Sequence, residues 1–338
     1  MNSLNIACAN RNIEQILTEC KDNNMNKFGL FMATLYNNID MCNYFNDDTE
    51  IRAVETGIIK IKLLCNWLTS EQLTTLWGKM KPTDIPLEFS DTKPDYWIII
   101  NSPPPGEIYI PDRTIIFQME PYMSKHPEQW GEWASPNVDK FLKVFTHATD
   151  YNNVEWHLSL DYETLLNMKI EKSCSLSTVL SNKYNDPGHI KRINFVKFIE
   201  HTIDIDVYGG NKFNYKNYHG SLPYHHKDAA LFKYKYHFNA ENHAIPNNFT
   251  EKIVDAIMGE CLCFYWGCPN ISDYIDPRAY IVLDLDDIAG SMEVVKNAID
   301  NDEWEQRIDI IRREKKKILY HMNFFTRIYN FLLFNMKI

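Results

Sequence analysis

The sequence predicts an α/β protein built from two Rossmann-like domains that face each other across a cleft, preceded by a small helical extension. Three observations carry this. From Ile58 onward, short apolar runs alternate with amphipathic helical stretches, the pattern of an open parallel sheet with crossover helices. A second alternating region begins near Cys174, and residues 1–56 show helical periodicity without strand-like runs. At 338 residues, 45% of them hydrophobic, the chain is long enough to bury two cores. The expected boundaries are 1–56 for the extension, 57–172 for the first α/β domain, 173–312 for the second and 313–338 for a C-terminal helix.

In the extension, Ile6 to Cys20 and Gly29 to Phe45 have helical spacing, and ACANRNIEQIL is loosely echoed by ATLYNNIDMCNYF. The echo resembles degenerate ankyrin-type hairpins, although Ala7 and Ala33 lie closer together than the ankyrin period of about 33 residues. Two such units seldom bury a core of their own, so the extension is expected to pack on the body. In the first domain the strand expectations are Ile59 to Leu64, Tyr96 to Ile100, Thr114 to Met119 and Lys143 to Thr146, with a helix over Ser70 to Lys79. Tyr151 to Ser181 gives no clear pattern. The second domain is expected to hold a helix from Pro187 to Thr202, strands at Ile205 to Tyr208 and Tyr234 to Ala240, a helix from Thr250 to Met258, an apolar strand ending in CFYWG, and a strand at Ala279 to Leu283. Asp302 to Ile338 reads as one long helix. Its basic block, Arg312, Arg313 and Lys315 to Lys317, precedes an apolar set that includes Ile318, Phe324, Phe325 and Phe334.

Composition excludes some functions. A net charge of −10 argues against general nucleic-acid binding, which needs a basic face, but allows a local basic site. Neither a signal sequence nor an apolar run of about 20 residues is present, so a cytoplasmic location is expected. The basic C-terminal helix leaves peripheral membrane contact as an alternative to packing across the domains. The eight cysteines are scattered, as buried thiols in a reducing compartment would be.

The most informative segment is Phe238 to Pro269, FNAENHAIPNNFTEKIVDAIMGECLCFYWGCP, which sets a polar loop against a helix start and then a buried strand. Thr250 suits an N-cap. The helix N-terminus that it opens presents free N–H groups, and Lys252 adds a full charge suited to a diphosphate. Glu251 beside it can accept hydrogen bonds from ribose hydroxyls. Read alone, TEK is an ordinary first turn.

The order FNAEN, TEKIVDAI and CFYWG resembles the donor-binding motif of the α1,3-fucosyltransferases, glycosyltransferase family ten. IKIKLLCNW at Ile59 to Trp67, TIIFQMEPY at Thr114 to Tyr122 and SNKYNDPGHIKRINF at Ser181 to Phe195 are similar, in family order, to its first strand, its strand ending in an acidic residue and its Arg-bearing helix. The resemblance covers about residues 58 to 312 and implies a GT-B fold. It also implies an inverting transfer of fucose from GDP-fucose, a nucleotide sugar, to an oligosaccharide or glycoconjugate acceptor containing N-acetylglucosamine or galactose, α1,3-linked. On this basis Glu120 is the catalytic base, with Glu128 and Glu132 as nearby alternatives. Arg192 and Lys252 neutralise the diphosphate, with Lys191 as the alternative to Arg192. Glu241, Asn242, Asn248, Thr250 and Glu251 complete the donor site. One position departs from the family: two residues before Thr250 a Tyr is common, and this chain has Asn248. The family's animal members carry a Golgi anchor that is not seen here.

No cofactor and no metal are expected. Asp284, Asp286 and Asp287 invite a DxD reading, but they follow a short strand beyond the donor helix. His225 and His226 have no suitably spaced third ligand, and Cys261, Cys263 and Cys268 have no paired CxxC. Trp130 and Trp133 would receive a sugar face or pack.

Overall fold

The computed structural model describes residues 57–121, 131–151 and 155–335. The ankyrin-like extension lies outside the described residues, as do Tyr122, Glu128 and Trp130. From Ile58 onward the chain belongs to one compact unit.

Among the described residues, ten strands form two five-stranded parallel sheets, the α/β, GT-B arrangement that was expected. The first contains β1 (Ile59–Cys65), β2 (Leu87–Phe89), β3 (Tyr96–Ile100), β4 (Thr114–Gln118) and β5 (Lys143–Thr146), in the order β2-β1-β3-β4-β5. The second contains β6 (Cys174–Leu180), β7 (Ile205–Gly209), β8 (Tyr234–Ala240), β9 (Leu262–Trp266) and β10 (Tyr280–Val282), in the order β10-β9-β8-β6-β7. Numbered from its own first strand, each sheet therefore has the order 2-1-3-4-5. In both, the connections reverse direction between the first and third strands, which leaves a crevice at the carboxyl ends of β1 and β3 and of β6 and β8. The pairing Leu63↔Ile98 and Ile99↔Ile116 lays apolar residues across the first sheet. Their near-zero exposure reflects a sheet covered on both faces, which explains why the strands read as continuous apolar runs.

The helices are α1 (Ser70–Trp77), α2 (Tyr162–Asn167), α3 (Pro187–Ile199), α4 (Glu251–Met258), α5 (Ile288–Asp300), α6 (Glu303–Lys317) and α7 (Phe324–Asn335). Thr69 begins α1 with a capping box closed by Gln72. Pro187 occupies the first turn of α3, where its missing N–H costs nothing. Thr250 caps α4, accepting from the Lys252 N–H.

The single C-terminal helix expected from the sequence is two helices, and the boundary set at residue 313 falls inside α6. A π-helical turn, Ile318–Met322, ends at Asn323. That side chain is fully buried; its Oδ1 accepts from the N–H groups of Phe325 and Thr326, and its Nδ2 donates to Met80 O at 2.7 Å. An N-capping Asn within the helical pattern thus stops one helix and starts the next. The two helices serve different sheets. On α6, Lys315 and Arg312 hold the buried Glu260 of the second half at 3.0 and 2.9 Å. Phe324 of α7 packs against Trp77 and Phe117, and Phe325 against Phe89, all from the first half. Ile318, Leu319, Phe324, Phe325, Ile328 and Leu332 are all buried, so these apolar side chains face protein rather than a lipid surface. No described helix is long and apolar enough to cross a membrane.

Candidate functional site

The crevice of the second sheet opens into a cavity of about 570 Å³. Its walls come from the carboxyl ends of β6, β7 and β8, the first turns of α3 and α4, and the segment 221–227. Gly209 and Gly210 form the turn after β7. Gly209 has φ +97°, and a Cβ there would lie 2.3 Å from Leu180 O, so the turn can approach β6 only without a side chain. Among the described residues, Lys183, Arg192, Lys227 and Lys252 line this cavity with Glu251 as the only carboxylate, a local excess of positive charge in an acidic protein.

Arg192 projects from α3 and is 6% exposed. One terminal nitrogen donates to Ala240 O at 2.9 Å and Asn242 Oδ1 at 3.2 Å, the other to Ser181 Oγ at 3.4 Å. Its Nε has no hydrogen-bond partner, and no carboxylate among the described residues forms an ion pair with it. Burial pulls its pKa down while Glu241 and Glu251 oppose the change. A buried guanidinium left partly unpaired is suited to receive an anion in the cavity. Lys191, the alternative, pairs instead with Asp286 and lies over the Trp266 ring.

Lys252 belongs to a different network. Its Nζ lies 2.9 Å from Thr250 Oγ1, 3.1 Å from Glu241 Oε2 and 3.5 Å from Glu251 Oε1. Burial works against its charge, but Glu241 and Glu251 outweigh burial and raise the pKa. Glu251 shows the converse: burial favours the neutral acid, yet Lys252, Lys227 and His157 hold its pKa well below the ordinary carboxylate value. Both side chains therefore remain ionised at neutral pH.

The other donor candidates divide. Asn242 lines the cavity beside Arg192, whereas Glu241, Thr250 and Asn248 do not line it. Glu241 is 1% exposed and accepts from Thr250 N at 3.0 Å and Thr250 Oγ1 at 2.7 Å. Behind the cavity wall, it ties the start of α4 to the end of β8 and orients Lys252. Asn248 is buried with its Oδ1 unpartnered.

Glu120 follows β4 of the first sheet, and its backbone N–H donates to Asn101 Oδ1 at 3.2 Å. The residue is exposed to solvent and does not line the cavity, yet the surrounding protein mass desolvates the carboxyl and raises its pKa. Lys252 opposes that rise and Glu251 adds to it, so Glu120 shares an electrostatic environment with the cavity residues of the second half. Glu132 is exposed, 3.9 Å from Lys140. Trp133 packs on Tyr109 and Phe141.

Spacing along the sequence missed several residues. Lys183 stands in the quoted SNKY stretch, and Lys227 follows the histidine pair, where only charge marks them. Lys227 donates to Asp255 at 2.8 Å and Glu251 at 3.3 Å. The reading that His225 lacks companions is corrected: Glu155 and His157, about seventy positions upstream, lie beside it. Backbone bonds from His157 N to Asp255 Oδ1 (2.7 Å) and from Lys227 N to His157 O (2.8 Å) hold that segment in place. His226 is exposed. The acidic run after β10 is a surface turn, in which Asp287 caps α5 through Gly290 N and Asp286 meets Lys191.

No family model matches the sequence, and no curated protein matches it. Among solved structures, the chain is similar to an α1,3-fucosyltransferase at 16% identity, with a TM-score of 0.48 over 77% of this chain and 84% of that one. An α1,3-fucosyltransferase structure with GDP shows 17% identity and a TM-score of 0.47 over 80% and 93% of the respective chains. One with GDP-fucose shows 15% and 0.42 over 77% and 84%. These likenesses concern the chain path; the reading of the site rests on its own residues.

Proposed function

We propose that this chain is an inverting glycosyltransferase that moves fucose from GDP-fucose to a hydroxyl of an N-acetylglucosamine- or galactose-containing glycan, forming an α1,3 linkage. The observation that carries the proposal is the cavity at the crevice of the second sheet, lined by four cations and one carboxylate, with the Nε of buried Arg192 unpaired. Such a site favours a compact, multiply charged anion, and the diphosphate of a nucleotide sugar fits that description. The guanine base, the fucose and the linkage come from the motif resemblance.

In the proposed reaction, Glu120 removes the acceptor hydroxyl proton as the hydroxyl oxygen bonds to the sugar's anomeric carbon. The bond from that carbon to the diphosphate oxygen breaks on the opposite face. Arg192 and Lys252 stabilise the charge that collects on the departing GDP, a role that fixed donors fill without reorganisation. Glu251 and Asn242 hold hydroxyls of the ribose or the sugar. Glu241 and Thr250 position Lys252. In this reading the departure of GDP requires no metal ion.

Thermal denaturation with GDP, GDP-fucose, GDP-mannose and UDP-sugars, in EDTA, tests the donor site. A ligand at 100 times its Kd stabilises the fold by about 2.7 kcal/mol. GDP and GDP-fucose are expected to raise the Tm of the wild type and to have little effect on Lys252→Ala. A preference for UDP-sugars would assign the same fold another donor, a reading favoured by the buried Asn248 where the family commonly has Tyr. Binding of GDP-fucose without hydrolysis or transfer would indicate a binding protein instead.

A further inference from the structure

Glu155, His157 and His225 are the only grouping among the described residues in which three metal-ligating side chains each offer an atom within 4.8 Å of the other two. We propose that they bind a divalent transition-metal ion, zinc by ligand preference, at the edge of the cavity. Two imidazoles and a carboxylate are a ligand set suited to zinc.

The geometry is close to a coordination set. His157 Nε2 and Glu155 Oε1 are 3.5 Å apart. Ligands about 2.0–2.1 Å from a tetrahedral ion lie about 3.4 Å from one another, so this edge is already formed, and the other two pairs lie within 4.8 Å. The imidazole ring centroids of His157 and His225 are 3.7 Å apart, and two imidazoles on one tetrahedral ion hold theirs about 5 Å apart, so the His225 ring swings away from His157 as the ion enters. The segment carrying Glu155 and His157 is fixed by the His157 backbone bonds to Asp255 and Lys227, so the ligands are held without the ion. Glu251 Oε1, 3.9 Å from His157 Nδ1, faces the ring's other nitrogen, where a carboxylate orients a ligating histidine.

An ion pair is the competing account, with a His157 imidazolium held between Glu155 and Glu251. It explains two of the three residues. His225 is 6% exposed with its ring against that of His157, so beside a charged His157 it would be a polar ring facing a cation. Its backbone is also held at φ +55°, an uncommon conformation for a non-glycine residue. A shared metal ion accounts for all three side chains. Lys227, the nearby cation, is neutralised by Asp255 and Glu251. His157 and His225 both line the cavity, so the bound ion borders it with a coordination position unfilled by these three ligands.

Metal-stripped full-length protein, without nucleotide, should be titrated with Co²⁺ while visible d–d absorption is followed, and then with Zn²⁺. The expected result is saturation at one Co²⁺ per chain, with displacement by one Zn²⁺. His225→Asn and, separately, Glu155→Gln should weaken binding at least about tenfold, since even partners that only orient a ligand contribute about 10- to 100-fold. Circular dichroism and the urea midpoint of each variant separate loss of the site from loss of the fold. Absence of saturable binding, binding that survives both substitutions in folded protein, or intense near-ultraviolet cysteine-to-cobalt bands would each overturn the proposal. None of these readouts depends on the donor assignment.

Discussion

At the scale of single residues, the cavity separates side chains that line it from those that stand behind its wall. Arg192 and Lys252 face the space, whereas Glu241 stands behind it and fixes the direction of Lys252. Glu120 stands on the first half, and its raised pKa gives it a specific signature as a base. Desolvation favours the neutral acid, so the active carboxylate accumulates only as pH rises past a value above the ordinary 4.5. Glu120→Gln should lower turnover by about 10²- to 10⁴-fold and leave GDP affinity unchanged, and the acid limb of the wild-type kcat/KM profile should lie above 4.5. Steady-state rates beside a GDP titration of the variant check this; a parallel loss of GDP binding would mean that Glu120 supports the site rather than the proton transfer. Glu120 and Lys252 could be marked in the sequence because each sits at the end of a readable element, and Arg192 because it stands within the helix of the quoted SNKYNDPGHIKRINF stretch. Glu155, His157 and Lys183 could not, because nothing local distinguishes a cavity-lining Lys or His from a surface one. Their proximity is created by long-range pairing between segments.

At the scale of elements, the site depends on α3 and the end of β8 approaching with almost no space between them. Gly188 N donates to Asn242 O at 2.9 Å, and a Cβ on Gly188 would lie 1.7 Å from Glu241 O and 2.8 Å from Asn242 O. Gly188→Ala therefore requires the helix to withdraw from the strand end that carries Glu241 and Asn242. The expected outcome is a loss of about 1–3 kcal/mol in urea denaturation, together with loss of the Tm response to GDP. An alanine variant with wild-type stability and GDP response would show that the approach is not required. The same elements show what the sequence could reveal. β3, β5 and β8 have the bounds expected, β3 because the buried Ile98, Ile99 and Ile100 leave a continuous apolar signal and β5 because buried and half-buried residues alternate along it. β2, three residues long, and α2, six residues long, escaped because they are too short for a period to register. The C-terminal helical pattern concealed a break because Asn323 interrupts it with a side chain that caps without disturbing the apolar spacing around it.

At the scale of the whole molecule, the two sheets repeat one strand order, and α6 and α7 run from the second to the first. The order 2-1-3-4-5 could not be read from the sequence, because parallel strands of similar composition carry no record of their neighbours. Stability then depends on polar groups buried throughout this body. Burial and nearby cations lower the pKa of His189 to about 4, with Arg192 contributing, that of His237 to about 3, with Lys227 and Lys172, and that of His321 to about 4, with Lys317. In the unfolded chain each titrates near 6.5. Between 6.5 and these lower values the unfolded state binds more protons than the folded state, so stability is present in full above 6.5 and falls as the pH descends. Each histidine contributes at most about 1.4 kcal/mol per pH unit. His157 acts in the opposite sense: burial lowers its pKa, but Glu251 and Glu155 outweigh that and raise it, so its contribution is present at low pH and lost on the way up. Four depressed histidines, His225 included at about 3, against one raised histidine set the net direction. The urea midpoint followed by far-ultraviolet circular dichroism should therefore fall steadily from pH 7 to pH 5, before most carboxylates titrate. A midpoint that is flat or rises over that interval would mean that these rings are hydrated or take up protons in the folded state, and that the packing around β8, α3 and the π-helical turn is looser than described.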